Sequence, residues 1–283
     1  MSFQRITFAA LDGYTISGRR YTPEKAKGRI VVASATGVPQ GFYQKFAQRA
    51  VSRGFEVITF DYRGIGESAP KSLRGFQVDY RDWARLDLAG VLQSQPNDLG
   101  IHLVGHSYGG HAFGVLPDLS KVKSLHTFAT GAGWHGWMPK SEQIRVKFLW
   151  NVVGPIVTRS SGYLAWKRFG LGENLPLGIY RQWKYWCGFP NYWFDDPTEG
   201  IQMQSLFARV QVPITALNAI DDKWATPASG DAFMKHYINS DLKLIDLNPA
   251  ELQLKSIGHM GYFRRGSEAL WDRVFDDIEG LKK

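Results

Sequence analysis

The spacing of apolar positions changes character along the chain. Between residues 3 and 16 they alternate, with Phe3, Ile6 and Phe8 ahead of Asp12-Gly13 and Tyr14 and Ile16 behind it, which predicts a hairpin around a tight turn. From residue 29 onward, short continuous apolar runs alternate with amphipathic stretches. Residues 29–35, 55–60, 101–104 and 125–129 read as buried strands. Residues 42–53 read as a helix, with Phe42, Phe46, Ala50 and Val51 near helical spacing and Gly54 in the stop position. Residues 79–95 read as a second helix, carrying Trp83, Leu86 and Leu88 among charges and ending before Pro96. Strands that alternate with helices at these intervals predict a mainly parallel sheet covered on both faces.

The alternation stops at Gly131 and resumes near residue 207. Strand-like residues 212–217 and 243–247 and helix-like residues 227–237 and 267–278 then restore it. Of the ten tryptophans, Trp134, Trp137, Trp150, Trp166, Trp183, Trp186 and Trp193 fall in the interruption. So does most of the net charge of +8: Lys140, Arg145, Lys147, Arg159, Lys167, Arg168, Arg181 and Lys184 face only Glu142 and Glu173 before residue 190. The reading is an α/β core of residues 1–130 and 207–283 with an inserted cap of residues 131–206. No internal repeat or low-complexity tract breaks this plan.

Composition narrows the classes further. With 44% hydrophobic and 21% charged residues, the chain lacks the signature of disorder. The single cysteine, Cys187, can neither close an internal disulfide nor join a cysteine-based zinc site, and this suits a reducing, cytoplasmic setting. The first residues offer no apolar run for a signal peptide, and the best candidate membrane span, residues 148–157, is short and interrupted by Asn151, Gly154 and Pro155. No His-Glu-x-x-His, cysteine pair, phosphate loop or nucleic-acid module is present, so no metal, no cofactor and no nucleic-acid partner is expected.

The chemistry lies in Gly105-His106-Ser107-Tyr108-Gly109-Gly110, a G-x-S-x-G between an apolar strand and a helical segment. A serine on such a sharp strand-to-helix turn is raised above the carboxyl end of the sheet, and small residues two before and two after relieve the crowding. A hydroxyl becomes nucleophilic only with a base, and the base needs an orienting acid. Asp221-Asp222 follows the strand 212–217, and His259 lies in the loop Gly258-His259-Met260-Gly261, in the chain order serine, acid, histidine. Asp222 is preferred to Asp221 for its distance ahead of the helix that begins at Thr226-Pro227, the other aspartate being a solvated neighbour or a loop cap. His102, His106, His111, His126 and His236 read as structural by position, and His135 as either a substrate contact or packing. Backbone N–H groups of Val38, in the loop after the first parallel strand, and of Tyr108 are expected to face a developing oxyanion.

These motifs, with Asp61-Tyr62-Arg63-Gly64-Ile65-Gly66-Glu67-Ser68, resemble the α/β-hydrolase superfamily. More narrowly, Ala35-Thr36-Gly37-Val38 and Gly188-Phe189-Pro190-Asn191-Tyr192 are similar to bacterial predicted α/β hydrolases related to the serine aminopeptidase-like and lysophospholipase-like groups. Thr36-Gly37 stands where the family usually has His-Gly. The resemblance implies an α/β-hydrolase fold, with a mostly parallel eight-stranded sheet, helices on both faces and a helical cap. It also implies a role for residues 61–68 in shaping the loop behind the site. Function is then expected to be serine hydrolysis of an ester, thioester or amide of a largely apolar acyl donor, through Ser107, His259 and Asp222. The alternatives are acyl transfer by the same residues, or a non-catalytic ligand- or partner-binding protein. Trp134, His135, Trp224 and Met260 are candidate substrate contacts, and the basic aromatic cap suits an apolar, anionic or lipid-like small molecule.

Overall fold

The computed structural model describes residues 3–170 and 172–281. The predicted hairpin is β1 (Gln4–Ala9) and β2 (Thr15–Tyr21), paired antiparallel with Phe8 opposite Ile16. Its turn closes on Gly13 at φ +85°, and the Asp12 carboxylate accepts the Tyr14 N–H. Next come β3 (Gly28–Ala33), α1 (Gln44–Ser52) and β4 (Phe55–Phe60). The helix expected over residues 79–95 is shorter: Trp83–Leu88 is wound as a wider π turn that passes into α2 (Ala89–Gln93). Trp83 and Asp87, one such turn apart, both meet Arg63, the indole N–H donating to its carbonyl at 3.0 Å and the carboxylate accepting its guanidinium at 2.7 Å.

The chain continues through β5 (Ile101–His106), α3 (Tyr108–Gly114) and β6 (Val122–Phe128). After the long excursion it returns through β7 (Ile214–Ala219), β8 (Leu242–Leu247) and the helices around them. In the described residues these strands form one eight-stranded sheet in the order β1-β2-β4-β3-β5-β6-β7-β8. Pairing is parallel from β4 to β8, and only β2 runs against its neighbours.

Burial on both faces explains why these strands are continuous apolar runs. In β3, Ile30 and Val32 enter one core while Val31 and Ala33 enter the other. The first core is closed by Phe46 and Ala50 of α1 with Trp271 and Phe275 near the C-terminus, and the second by Leu92 of α2, Phe113 of α3 and Phe233.

Between β6 and β7 lie α4 (Lys140–Phe148), a π-wound turn (Leu149–Val153), α5 (Gly154–Ser161), α6 (Leu177–Trp186) and α7 (Gly200–Ala208). The wide turn answers to Pro155, which has no N–H for the carbonyl four residues back and would crowd it in a regular helix. The last part of the excursion packs down beside the sheet: Trp193 and Phe207, fully buried, meet Phe233 of α8 (Pro227–Met234). No helix among the described residues is long and apolar enough to cross a membrane.

The final helix, α9 (Glu268–Gly280), is tied to the sheet by Asp277, whose carboxylate accepts from His126 Nε2 on β6 and Thr215 Oγ1 on β7, each at 2.8 Å. The His126 bond is the largest influence and, against burial, brings the Asp277 carboxyl down to about 2. A carboxyl lowered by folding contributes stability that is complete above its unfolded value and is lost as pH falls through the folded one. Urea midpoints should therefore decline between about pH 4 and pH 2, and Asp277→Asn should reduce that slope; an unchanged slope in the variant counts against the assignment.

Candidate active site

Ser107 follows the last residue of β5 and precedes α3, at φ +51° and ψ −108°. Such backbone angles are rare for a residue with a Cβ and cost of order 1–3 kcal/mol, so the surroundings must hold them. The Ser107 N–H donates to the Phe128 carbonyl at 2.8 Å, and its own carbonyl accepts from the Gly110 N–H and Thr130 Oγ1 at 3.0 Å each. The turn is tight enough that a Cβ on Gly105 would lie 2.6 Å from the Gly109 carbonyl carbon, and one on Gly109 would collide with the Ala33 carbonyl oxygen.

Two loops at the same end of the sheet complete the array. Asp222 follows β7 and is buried, and His259 lies in the loop between β8 and α9. His259 Nε2 is 3.2 Å from Ser107 Oγ, and Nδ1 is 2.9 Å from Asp222 Oδ2. The Nδ1–H therefore points at the acid, which leaves Nε2 to accept from the serine hydroxyl. Asp222 Oδ1 also accepts the N–H groups of Trp224 at 2.8 Å and Ala225 at 3.0 Å. Burial works to raise the Asp222 carboxyl, but the neighbouring imidazole and these hydrogen bonds outweigh it and hold the group below its ordinary value.

Asp221 does something different. Its two oxygens accept the N–H groups of Ile257 and Gly258 at 2.9 and 3.0 Å, clamping the loop just ahead of His259. Of the two expectations for this aspartate it is the loop cap, and only its partners, main-chain groups 36 and 37 residues away, had no local signal. His106 is also engaged: burial, then the adjacent His259, push its imidazole down to about 3, so it is neutral. Its Nε2–H donates to the His259 carbonyl at 3.0 Å, and its Nδ1 accepts from the Tyr43 hydroxyl at 3.0 Å. Tyr43 oxygen in turn accepts the Ala35 N–H at 2.9 Å. His106 thus links the loop of His259 to the loop after β3.

The sequence model of the alpha/beta hydrolase family matches residues 30–251. The chain belongs to that family. Solved structures resemble this family member over nearly its whole length. A haloalkane dehalogenase loop variant from Bradyrhizobium elkanii has a TM-score of 0.69 at 14% identity, covering 99% of this chain and 98% of its own. A soluble variant of monoglyceride lipase from Saccharomyces cerevisiae has a TM-score of 0.68 at 12% identity, covering 99% and 96%. A thermophilic esterase from Thermogutta terrifontis has a TM-score of 0.62 at 15% identity, covering 99% and 100%. At these identities the likeness is one of fold. No curated protein sequence matches significantly.

In this α/β-hydrolase family member the expected oxyanion donors differ in state. Tyr108 opens α3, where a first-turn N–H has no acceptor within the helix. The Val38 N–H is not free as expected: it donates to the Ala35 carbonyl at 3.1 Å across a turn that Gly37 closes at φ +70°. The carbonyl of the same peptide group, Gly37 O, accepts the Glu173 N–H at 3.2 Å. In residues 61–68, Asp61 accepts from the Gln40 and Glu67 N–H groups and Arg63 reaches Asp12 and Asp87, all internal bonds.

A cavity of about 140 Å³ opens between Thr36-Gly37 below and Val146, Trp150, Trp166, Leu175 and Trp183 above, with Trp224 in its wall. Of the candidate contacts, Trp224 is thus brought to the site; its ring centre is 6.1 Å from that of His259, and its indole N–H donates to Glu142 at 2.8 Å. Trp134, His135 and Met260 do not line this cavity. Trp134 packs on His135 and Trp137 instead, and the Trp137 indole N–H donates to the Pro190 carbonyl at 2.8 Å. Arg145, at the cavity edge, is paired with Glu142 at 2.9 Å. Among the described residues no group of three His, Cys, Asp or Glu side chains is placed to hold a metal ion.

The crowding at the turn is directly testable. Gly109→Ala should destabilise the protein by about 1–3 kcal/mol in urea unfolding, through the collision with the Ala33 carbonyl; a variant as stable as the parent would show that the turn is looser than described.

Proposed function

We propose that this protein is a serine hydrolase that cleaves an ester, thioester or amide of a small apolar acyl donor. The reading rests on the unbroken hydrogen-bonded series Ser107 Oγ, His259 and Asp222 at the carboxyl ends of β5, β8 and β7. Ser107 attacks the acyl carbonyl while His259 Nε2 takes its proton, and the ionised Asp222 holds the imidazole in the tautomer that can accept it. The Tyr108 N–H stabilises the tetrahedral oxyanion, and Val38 N–H joins it when its turn bond to Ala35 is shared or released. His259 then gives its proton to the leaving group, and water activated by the same nitrogen frees the acyl group.

Residues 131–206 act in this scheme as the cap, with α4 and α6 roofing the cavity. Ser107 and His259 are not among the cavity's lining residues, but it adjoins them through Trp224, and in this scheme it takes the acyl group and limits its size. An apolar cavity of about 150 Å³ accommodates a benzene ring, so a phenyl or short aliphatic acyl group fits here. Trp150, Trp166, Trp183 and Trp224 supply apolar surface and exclude water.

Three outcomes are expected. A fluorophosphonate should label Ser107, as located by peptide mass spectrometry, and neither Ser107→Ala nor His259→Ala should be labelled; labelling at another serine refutes the assignment. With a responsive ester, Asp222→Asn should lower kcat by about 10⁴-fold by supporting the wrong imidazole tautomer. Among p-nitrophenyl esters, kcat/KM should peak at about four to six acyl carbons and fall for long chains; a peak at long chains would show that the acyl group lies elsewhere.

A further inference from the structure

The outer face of the cap presents a feature that hydrolysis alone does not explain. Residues 140–161 form one continuous helical rod through α4, the wide turn and α5. Its inner side buries Glu142, Val146, Trp150, Gly154 and Val157. On the opposite side Ile144, Phe148, Val152 and Ile156 stand 72, 56, 42 and 65% exposed. An α turn falls short of four residues and a π turn exceeds it, so the wide turn in mid-rod cancels the drift of this four-residue repeat and keeps the stripe straight. A surface helix ordinarily has one apolar face, and this one has two.

The charges beside the stripe are of one sign. Lys140, Lys147 and Arg159 flank it, and the rod's one acidic residue, Glu142, is buried and paired. A groove of about 400 Å³ alongside, between α5 and α6, adds Arg181 and Lys184 with Thr158. Among the described residues none of these five basic side chains has an ion-pair partner.

We propose that this face docks on an anionic lipid surface, with Ile144, Phe148, Val152 and Ile156 entering the acyl boundary and Lys140, Lys147, Arg159, Arg181 and Lys184 meeting the phosphates. Apolar residues on one side of a helix flanked by Lys and Arg are the physical requirement for interfacial binding. Charge favours this occupant over a second copy of the chain, since a twofold contact across the stripe would bring together two faces flanked by the same unpaired positive charges. The proposal does not depend on the serine chemistry. It does place the roof of the Trp150 cavity against the phase where apolar esters concentrate.

Co-sedimentation of the full chain with vesicles of phosphatidylcholine alone and of phosphatidylcholine with phosphatidylglycerol tests it. Partitioning should be at least about tenfold stronger on the anionic vesicles and weaken with salt. Lys147→Ala and Arg159→Ala should each lower it about fivefold there. The triple variant Ile144→Ser/Phe148→Ser/Ile156→Ser should lose it while keeping the parent circular dichroism and thermal midpoint, since all three side chains are exposed. Wild-type protein that sediments with neither vesicle overturns the proposal, as does a triple variant that still binds. So does a lipid-free wild-type dimer that the triple variant converts to monomer, since the stripe would then be a subunit contact.

Discussion

The backbone of Ser107 is the constraint on which the rest depends. A residue with a side chain is held at φ +51° between β5 and α3, and the sheet supplies what keeps it there. Parallel pairing of β5 with β3 and β6 fixes the strand up to His106, Phe128 anchors the serine N–H, and Thr130 takes up its carbonyl. The glycines at 105, 109 and 110 are needed because the helix returns so close to the strands that any Cβ would overlap main-chain or buried atoms. Once Ser107 is placed, Asp222 and His259 need only lie on loops at the same end of the parallel part of the sheet to come within hydrogen-bonding reach of one another and of the serine.

The two loops are not left to chance. Adjacent aspartates divide the work: Asp222 faces the imidazole ring, and Asp221 holds the main chain that carries it. His106, next to the serine, holds the same loop by its carbonyl and, through Tyr43, the loop after β3. A neutral ring suits this task, because one nitrogen must accept while the other donates.

How far all this was legible depended on the kind of interaction. Strands buried on both faces announce themselves as apolar runs, and the elbow as small residues around a serine, because both patterns are local. That Ser107, Asp222 and His259 come together could be anticipated from the elbow, the loop after the strand 212–217 and the glycine-flanked histidine loop, taken in that chain order. The partners that Asp221 caps and the turn bond of Val38 could not, as both involve main-chain atoms that carry no residue identity. For Trp134 and His135 the local pattern shows only that they open the excursion, whereas the contact of Trp137 with the Pro190 carbonyl, far along the chain, has no local signal. The two π turns were equally hidden: one depends on Arg63 meeting Trp83 and Asp87, the other on Pro155.

One peptide group carries a wider consequence. The unit between Gly37 and Val38 is gripped at both ends, its N–H by Ala35 within the core and its carbonyl by Glu173 from the excursion between β6 and β7. Because a peptide group is planar, neither atom can turn without the other. A chimera that exchanged this excursion for a relative's would therefore also exchange the hand on that lever, and the setting of the Val38 N–H would be inherited from the donor of the excursion as much as from the strand that precedes the turn.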